Sequence, residues 1–426
     1  MMQFDTAFQM SASNIRFGAG VTSEVGMDLV DLGARRVLLV IDPALVELPG
    51  GQRVLESLRA ARVDFEVFDG VIVEPTDASF RAATQVATAG RFDAFVAVGG
   101  GSAIDTAKAA NLYSTYPADF LDYVNAPIGK GLPVPGPLKP LIAIPTTAGT
   151  GSETTGVAIF DFVERKAKTG IAHRYLKPTL GIVDPDNTRT LPPAVAVSAG
   201  LDVLSHALES YTAIPFDRRP KPARPLERPA YQGANPISDI WALRALEMVN
   251  ESLVRAVRNP SDDHARGQML LAAAIAGIGF GNAGVHLPHG MSYPIAGMVR
   301  NFRPAGYQVD HPLIPHGMSV ILSTPAVARF TAPASPERHL RAASALGADV
   351  RGASAVDAGP ILAQRVIDFM RALEIPNGLS AVGYTETDIP QLVAGTLPQH
   401  RVTKLSPIPA GETELAELFR ASLKIW

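Results

Sequence analysis

Residues 92–111 read FDAFVAVGGGSAIDTAKAAN, and this stretch decides how the first half of the chain folds. Phe92 to Val98 is a near-continuous apolar run of the kind found in strands buried on both faces. It enters Gly99-Gly100-Gly101-Ser102 directly, and Ala103 to Asn111 then reads as a helix. Glycines let a backbone approach an anion closely, and the N–H groups at a helix start, with the helix dipole, favour a pyrophosphate there.

The same alternation continues outward in both directions. Arg36 to Ile41 (RVLLVI) reads as a strand ending at Asp42-Pro43, Gly51 to Ala61 as a helix, Val63 to Phe68 as a strand and Thr76 to Ala89 as an alanine-rich helix. Leu141 to Ile144 and Gly181 to Val183 read as further strands. Apolar strands separated by helices predict a parallel sheet covered on both faces. A second small-residue loop, PTTAGTGSE at 145–153, follows the strand at 141–144. Ligands of open parallel sheets bind beyond the carboxyl ends of the strands, so the two loops predict one dinucleotide site. Asp42 is placed to accept from an adenosine ribose, which favours NAD over NADP; an Asx-type turn before Pro43 is its other reading. Gly18-Ala19-Gly20 precedes the first predicted strand and lacks the strand-then-helix context of a dinucleotide fingerprint.

From about Leu191 the pattern becomes helical. Helices are predicted from Pro192 to Tyr211 and over Ser238 to Val257, Asp262 to Gly279, Pro312 to Phe330, Pro336 to Leu346, Val356 to Leu373, Thr387 to Ala394 and Glu412 to Leu423, with no strand. At 426 residues the chain exceeds the roughly 250–300 at which single cores stop growing. The expectation is therefore an α/β, Rossmann-like domain at 1–190 and an all-α domain at 191–426.

Composition narrows the chemistry. A net charge of −3 gives no general attraction to nucleic acid or an anionic membrane, and no partner of either kind is expected. With no cysteine, any metal must sit on nitrogen and oxygen. The opening residues show neither the apolar core of a secretory signal nor the repeated arginines of a mitochondrial presequence, and a cytoplasmic protein is the expectation. Arg266 to Arg300 encloses no charge, but its Asn282, His286, His289 and two prolines favour a helix buried in protein over a membrane span.

Asp202 and His206 lie four apart in GLDVLSHALES, on one helix face. His286, His289, His311 and His316, four of the nine histidines, fall within 31 residues, and His289 and His316 each stand in a Pro-His-Gly-Met-Ser motif. One carboxylate and three imidazoles would suit Fe²⁺ or Zn²⁺. Beside a nicotinamide, such an ion suggests Lewis-acid catalysis of hydride transfer.

GGGSAIDTAK, IPTTAGTGSE, GLDVLSHALES, HLPHGMSYP and IPHGMSV, in that order, resemble the iron-containing (group III) alcohol dehydrogenase family over essentially the whole chain. The resemblance implies an NAD(P)-binding α/β domain, a helical metal-binding domain and a homo-oligomer. Carried over, the metal ligands would be Asp202, His206, His289 and His316; the cofactor residues would be Asp42, Gly99, Gly100, Gly101, Ser102, Asp105, Thr146, Thr147, Thr150 and Lys168. Many members have a second histidine four residues after the third ligand. Tyr293 stands there here, with His286 as the candidate replacement in proton transfer.

A proline-rich segment at 212–234, with five basic and two acidic residues, is an insertion by the same comparison. FGAGVTSEVGMDL, LERPAYQGANPISD, HLPHGMSYP and GTLPQHRVTKLSP are similar to the hydroxyacid–oxoacid transhydrogenase subgroup. That subgroup oxidises 4-hydroxybutyrate to succinate semialdehyde while reducing 2-oxoglutarate to D-2-hydroxyglutarate, through bound NAD. Both substrate pairs carry carboxylates, so Arg228, Arg401 and Lys404 are the candidate anchors. An alcohol dehydrogenase exchanging free NAD, or a lyase of the dehydroquinate synthase type, are the alternatives.

Overall fold

The computed structural model describes residues 3–165, 167–307, 309 and 311–426. They form two compact units: Ser11–Leu191, and Pro192–Trp426 together with the residues before Ser11. Residues 3–10, read above as part of the α/β domain, thus go with the helical unit. Asp5 holds them there, because its buried carboxylate meets both Arg219 and Arg228 at 2.9 Å.

The first unit is built on a six-stranded parallel sheet. Its strands are β1 (Asn14–Phe17), β2 (Arg36–Ile41), β3 (Asp64–Phe68), β4 (Ala94–Gly99), β5 (Leu141–Pro145) and β8 (Leu180–Val183), in the order β1-β8-β5-β4-β2-β3. Alternate residues of the apolar runs feed opposite faces, as a period of two requires. Val37, Leu39, Ile41, Val96 and Val98 cluster with Val25 and Leu29 of α1 (Val25–Asp31) and Val54 and Leu58 of α2 (Pro49–Ala60). Leu38, Val40, Phe95 and Ala97 cluster with Ala83 and Ala87 of α3 (Asp77–Gly90) and Ile104 and Ala107 of α4 (Gly101–Thr115).

Three strands lie beyond the sequence reading. β1 is a four-residue edge strand, NIRF, too short and too polar to show alternation. β6 (Val157–Phe162) and β7 (Ala167–Ala172) form a separate antiparallel pair. It is anchored by Phe160 against Phe80 of α3 and against Phe120 of the short α5 (Phe120–Tyr123).

The second unit is helical: α6 (Pro193–Thr212), α7 (Pro236–Arg258), α8 (Asp263–Ala283), α9 (Leu287–Gly297), α10 (His316–Ile321), α11 (Thr324–Thr331), α12 (Pro336–Ala345), α13 (Ala358–Ala372), α14 (Ile389–Thr396), α15 (His400–Thr403) and α16 (Glu412–Leu423). The single helix predicted over 312–330 begins only after Pro315 and divides into α10 and α11. The uncharged stretch becomes α8 and α9, bent by 105° about residues 284–286, and most of its side chains are buried in protein. Among the described residues no single helix is long and apolar enough to cross a membrane.

Candidate functional site

α6 starts on Pro193, whose fixed φ suits a first helical turn, and it runs for 20 residues through the middle of its unit. Its helical period puts Asp202, His206 and Glu209 on one stripe. α9 and α10 then bring their first turns to that stripe, each beginning in a Pro-His-Gly motif. The glycine after His316 is sterically required: a Cβ on Gly317 would stand 1.9 Å from Ser198 O and 3.0 Å from Asp202 Cβ.

Three imidazole nitrogens surround one carboxylate oxygen. Nε2 of His206, His289 and His316 lie 3.6, 3.6 and 3.7 Å from Asp202 Oδ1. These separations are too long for hydrogen bonds. They match the spacing of about 3.4 Å between ligands that each stand about 2.1 Å from a tetrahedral ion. Asp202 Oδ1 and His289 Nε2 are buried without a hydrogen-bond partner, and the ligand atoms of Asp202, His206 and His289 fall within 4.8 Å of one another. An all-N/O donor set with orphaned, converging atoms fits a divalent metal. Burial works against a charged Asp202, but the surrounding His206, His316 and His289 outweigh it and hold the carboxyl below its usual range.

Two neighbours fix the rings. Phe280 of α8 stacks on His206 with centroids 3.9 Å apart and planes 9° from parallel. Glu209 Oε1 is 2.5 Å from His289 Nδ1, leaving Nε2 to face Asp202. The sequence reading passed over Glu209, although it continues the 202–206 stripe by one turn.

The other candidates of this unit separate. His286 is buried, and its Nε2 lies 3.0 Å from Thr212 Oγ1; that hydroxyl donates to Leu208 O, so the ring is the donor between them. Burial pushes the imidazole down to about 4. His286, read above as a candidate for proton transfer, is thus bonded through Nε2 to Thr212, while its Nδ1 is buried without a hydrogen-bond partner. Arg228, read above as a substrate anchor, forks its Nε and Nη2 onto Asp5 at 2.9 and 3.1 Å. Lys404 is solvent-exposed at the end of α15, and His311 is exposed as well. Tyr293 and Arg401 come together, with Arg401 Nη2 donating to Tyr293 Oη at 2.8 Å.

In the α/β unit the two loops meet. Gly99 has φ +149°, and Thr146 N donates to its carbonyl at 3.0 Å. A Cβ on Gly101 would lie 2.7 Å from Thr150 Cγ2, and one on Gly100 would lie 3.2 Å from Thr147 Oγ1. The glycine loop and the threonine loop therefore form one surface at the N-terminus of α4. Asp42 makes the Asx-type turn, Oδ1 accepting from Ala44 N at 2.9 Å. Ser102 Oγ accepts from Glu74 N.

Asp105 and Lys168 both have partners within the protein. Asp105 accepts from Ser152 Oγ at 2.5 Å and from Ile159 N at 2.9 Å, tying α4 to the threonine loop and β6. Lys168 is buried between Glu74 and Asp161; burial opposes its charge, and the two carboxylates outweigh that and raise its pKa. Both were read above as cofactor contacts; their polar atoms meet Ser152, Ile159, Glu74 and Asp161 of the protein.

Comparison with known proteins agrees with this picture. The sequence profile described as iron-containing alcohol dehydrogenase matches residues 12–185, and that of the C-terminal part of the Fe-containing alcohol dehydrogenase family matches residues 227–423. The chain is 60% identical over 424 residues to the hydroxyacid-oxoacid transhydrogenase, mitochondrial, of Bos taurus, covering 99% of this chain and 91% of that protein. Among solved structures, a 1,3-propanediol oxidoreductase is 28% identical with a TM-score of 0.85, covering 98% of this chain and 100% of that one. The sulfoacetaldehyde reductase of Bifidobacterium kashiwanohense, solved with NAD⁺, is 26% identical with a TM-score of 0.80 over 98% of this chain and 99% of that one. The cytoplasmic location read from the opening residues is corrected by the first of these, because that relative is named as a mitochondrial protein. Matched by family profiles in both halves and by a relative over nearly its full length, the chain belongs to the iron-containing alcohol dehydrogenase family, within its hydroxyacid–oxoacid transhydrogenase subgroup.

Proposed function

We propose that this protein couples the oxidation of a hydroxyacid to the reduction of an oxoacid, using a divalent metal and a bound NAD. The observation that carries the reading is the convergence of three imidazole Nε2 atoms, those of His206 and His289 buried, on Asp202 Oδ1, in a chain 60% identical to a hydroxyacid–oxoacid transhydrogenase. One hydride and one proton leave the CH–OH group of the first acid, and the same two enter the C=O group of the second. The sum is balanced without an outside oxidant.

Asp202, His206, His289 and His316 would hold the ion, and an Fe²⁺ there supplies Lewis-acid polarisation of a hydroxyl or carbonyl oxygen. Gly99 to Ser102, Thr146, Thr147 and Thr150 would hold the dinucleotide, the two-electron carrier. Around the ligands, Glu209 fixes the orientation of His289, Phe280 covers one face of His206, and the apolar helix α8 keeps bulk water from that side.

The test is to incubate the purified protein with 4-hydroxybutyrate and 2-oxoglutarate without added nucleotide. Succinate semialdehyde and 2-hydroxyglutarate should appear in equal amounts. Turnover that occurs only with added NAD⁺, with NADH accumulating, would make it an ordinary alcohol dehydrogenase instead.

A further inference from the structure

We propose that Arg401, held between Tyr293 and Tyr231, is the anchor for the carboxylate that the hydroxyacid and oxoacid substrates share; this rests on the transhydrogenase reading above. A guanidinium carries a permanent charge and a planar fork of donors. Nη2 donates to Tyr293 Oη at 2.8 Å, and the guanidinium carbon lies 5.0 Å from the ring centre of Tyr231. Nη1 is buried with no hydrogen-bond partner, and the groups that favour the guanidinium's charge against burial are the hydroxyls of Tyr293 and Tyr231. Tyrosines position a guanidinium without neutralising it. A buried cation with an unpartnered donor is costly unless an anion meets it.

Placement gives that donor its meaning. Tyr293 follows His289 by four residues on α9, so it shares the face of His289 about 6 Å further along the helix. α15 can bring Arg401 to it because position 290 is glycine: a Cβ there would stand 2.7 Å from Thr403 Cγ2. Tyr231 comes from the proline-rich segment at 212–234, which thereby contributes to substrate choice through an aromatic ring and not through its arginines. A four- or five-carbon acid with its oxygen function at the histidine cluster can place its far carboxylate at Arg401. An uncharged alcohol leaves Nη1 unpaired, and a site built this way rejects it.

The experiment is a calorimetric titration of the protein, purified with its bound metal and cofactor, with glutarate, a five-carbon dicarboxylate that has no group to oxidise or reduce. Wild type should bind it, Arg401→Met should bind about tenfold more weakly or worse, and Arg401→Lys should lie between them. Absence of glutarate binding by wild type, or unchanged affinity in Arg401→Met, overturns the anchor. If circular dichroism shows that Arg401→Met is unfolded, Tyr293→Phe takes its place, deleting only the hydroxyl that holds Nη2; weaker binding supports the anchor and unchanged binding overturns it. Because the titration needs no turnover, failure of the transhydrogenase reading shows separately, as missing products from 4-hydroxybutyrate and 2-oxoglutarate with wild type.

Discussion

Glu209 holds His289 twice over. Its Oε1 lies 2.5 Å from the ring Nδ1, and its Oε2 accepts from the backbone N–H groups of His289 and His286 at 3.3 and 2.6 Å. One carboxylate thus sets both the ring and the entry of α9, and it leaves Nε2 pointing at Asp202.

Glu209→Gln keeps the shape and removes the charge, so metal affinity should fall about 10- to 100-fold, the usual cost of losing a carboxylate behind a histidine ligand. Metal content after dialysis against graded chelator measures this. Retention equal to that of wild type would show that Glu209 is only a structural partner of α9.

Gly317 gives a steric test of the same cluster. Alanine there would place a methyl 1.9 Å from the Ser198 carbonyl, so α10 must move away from α6. Gly317→Ala should destabilise the unit by about 1–3 kcal/mol. Because His316 opens α10, metal retention should fall along with the melting temperature. A variant with both unchanged would mean that the two helices are not packed as closely as described.

What the sequence made legible follows from how locally each feature is encoded. β2, β4 and β5 are buried on both faces, so they read as apolar runs; β1, with four residues at a sheet edge, carries no such signature. Asp202 and His206 declare themselves by helical spacing. Glu209 has the same spacing, yet a glutamate on a helix ordinarily faces water, and only the fold shows it buried against α9. The protein bonds of Arg228 and Asp105 were hidden from the sequence for one reason. Their partners, Asp5 and Ile159, stand 223 and 54 residues away, and pairing at that range is not written in spacing.

The Asp5 pairing makes a pH prediction. The bond to Arg228 lowers the Asp5 pKa, burial opposes this, and the Ala7 N–H and Arg219 lower it further, for a net depression. A folded-state pKa below the unfolded one stabilises the fold above the unfolded value of about 3.9, and the contribution is lost as pH falls through the folded value. Asp5→Asn should therefore melt below wild type at pH 7, and the gap should close as pH drops below about 4. A constant gap across that window would mean that the carboxylate charge contributes nothing.

Lys108 supplies the most demanding test of the α/β unit. Its ammonium is fully buried and donates to Ser152 Oγ at 2.6 Å and Val157 O at 2.8 Å, with Thr155 Oγ1 and Asp105 Oδ1 both at 3.4 Å. Burial lowers its pKa, and the neighbouring Asp105 and Glu153 carboxylates oppose that shift. Lys108→Met removes all four bonds at once and strands the Asp105 carboxylate, a loss of about 3–5 kcal/mol for a broken buried pair. Adding Asp105→Asn removes the stranded charge, so the double variant should regain part of the loss. Thermal melts of the two single variants and the double close the cycle. Simple additivity would show that Lys108 and Asp105 act independently.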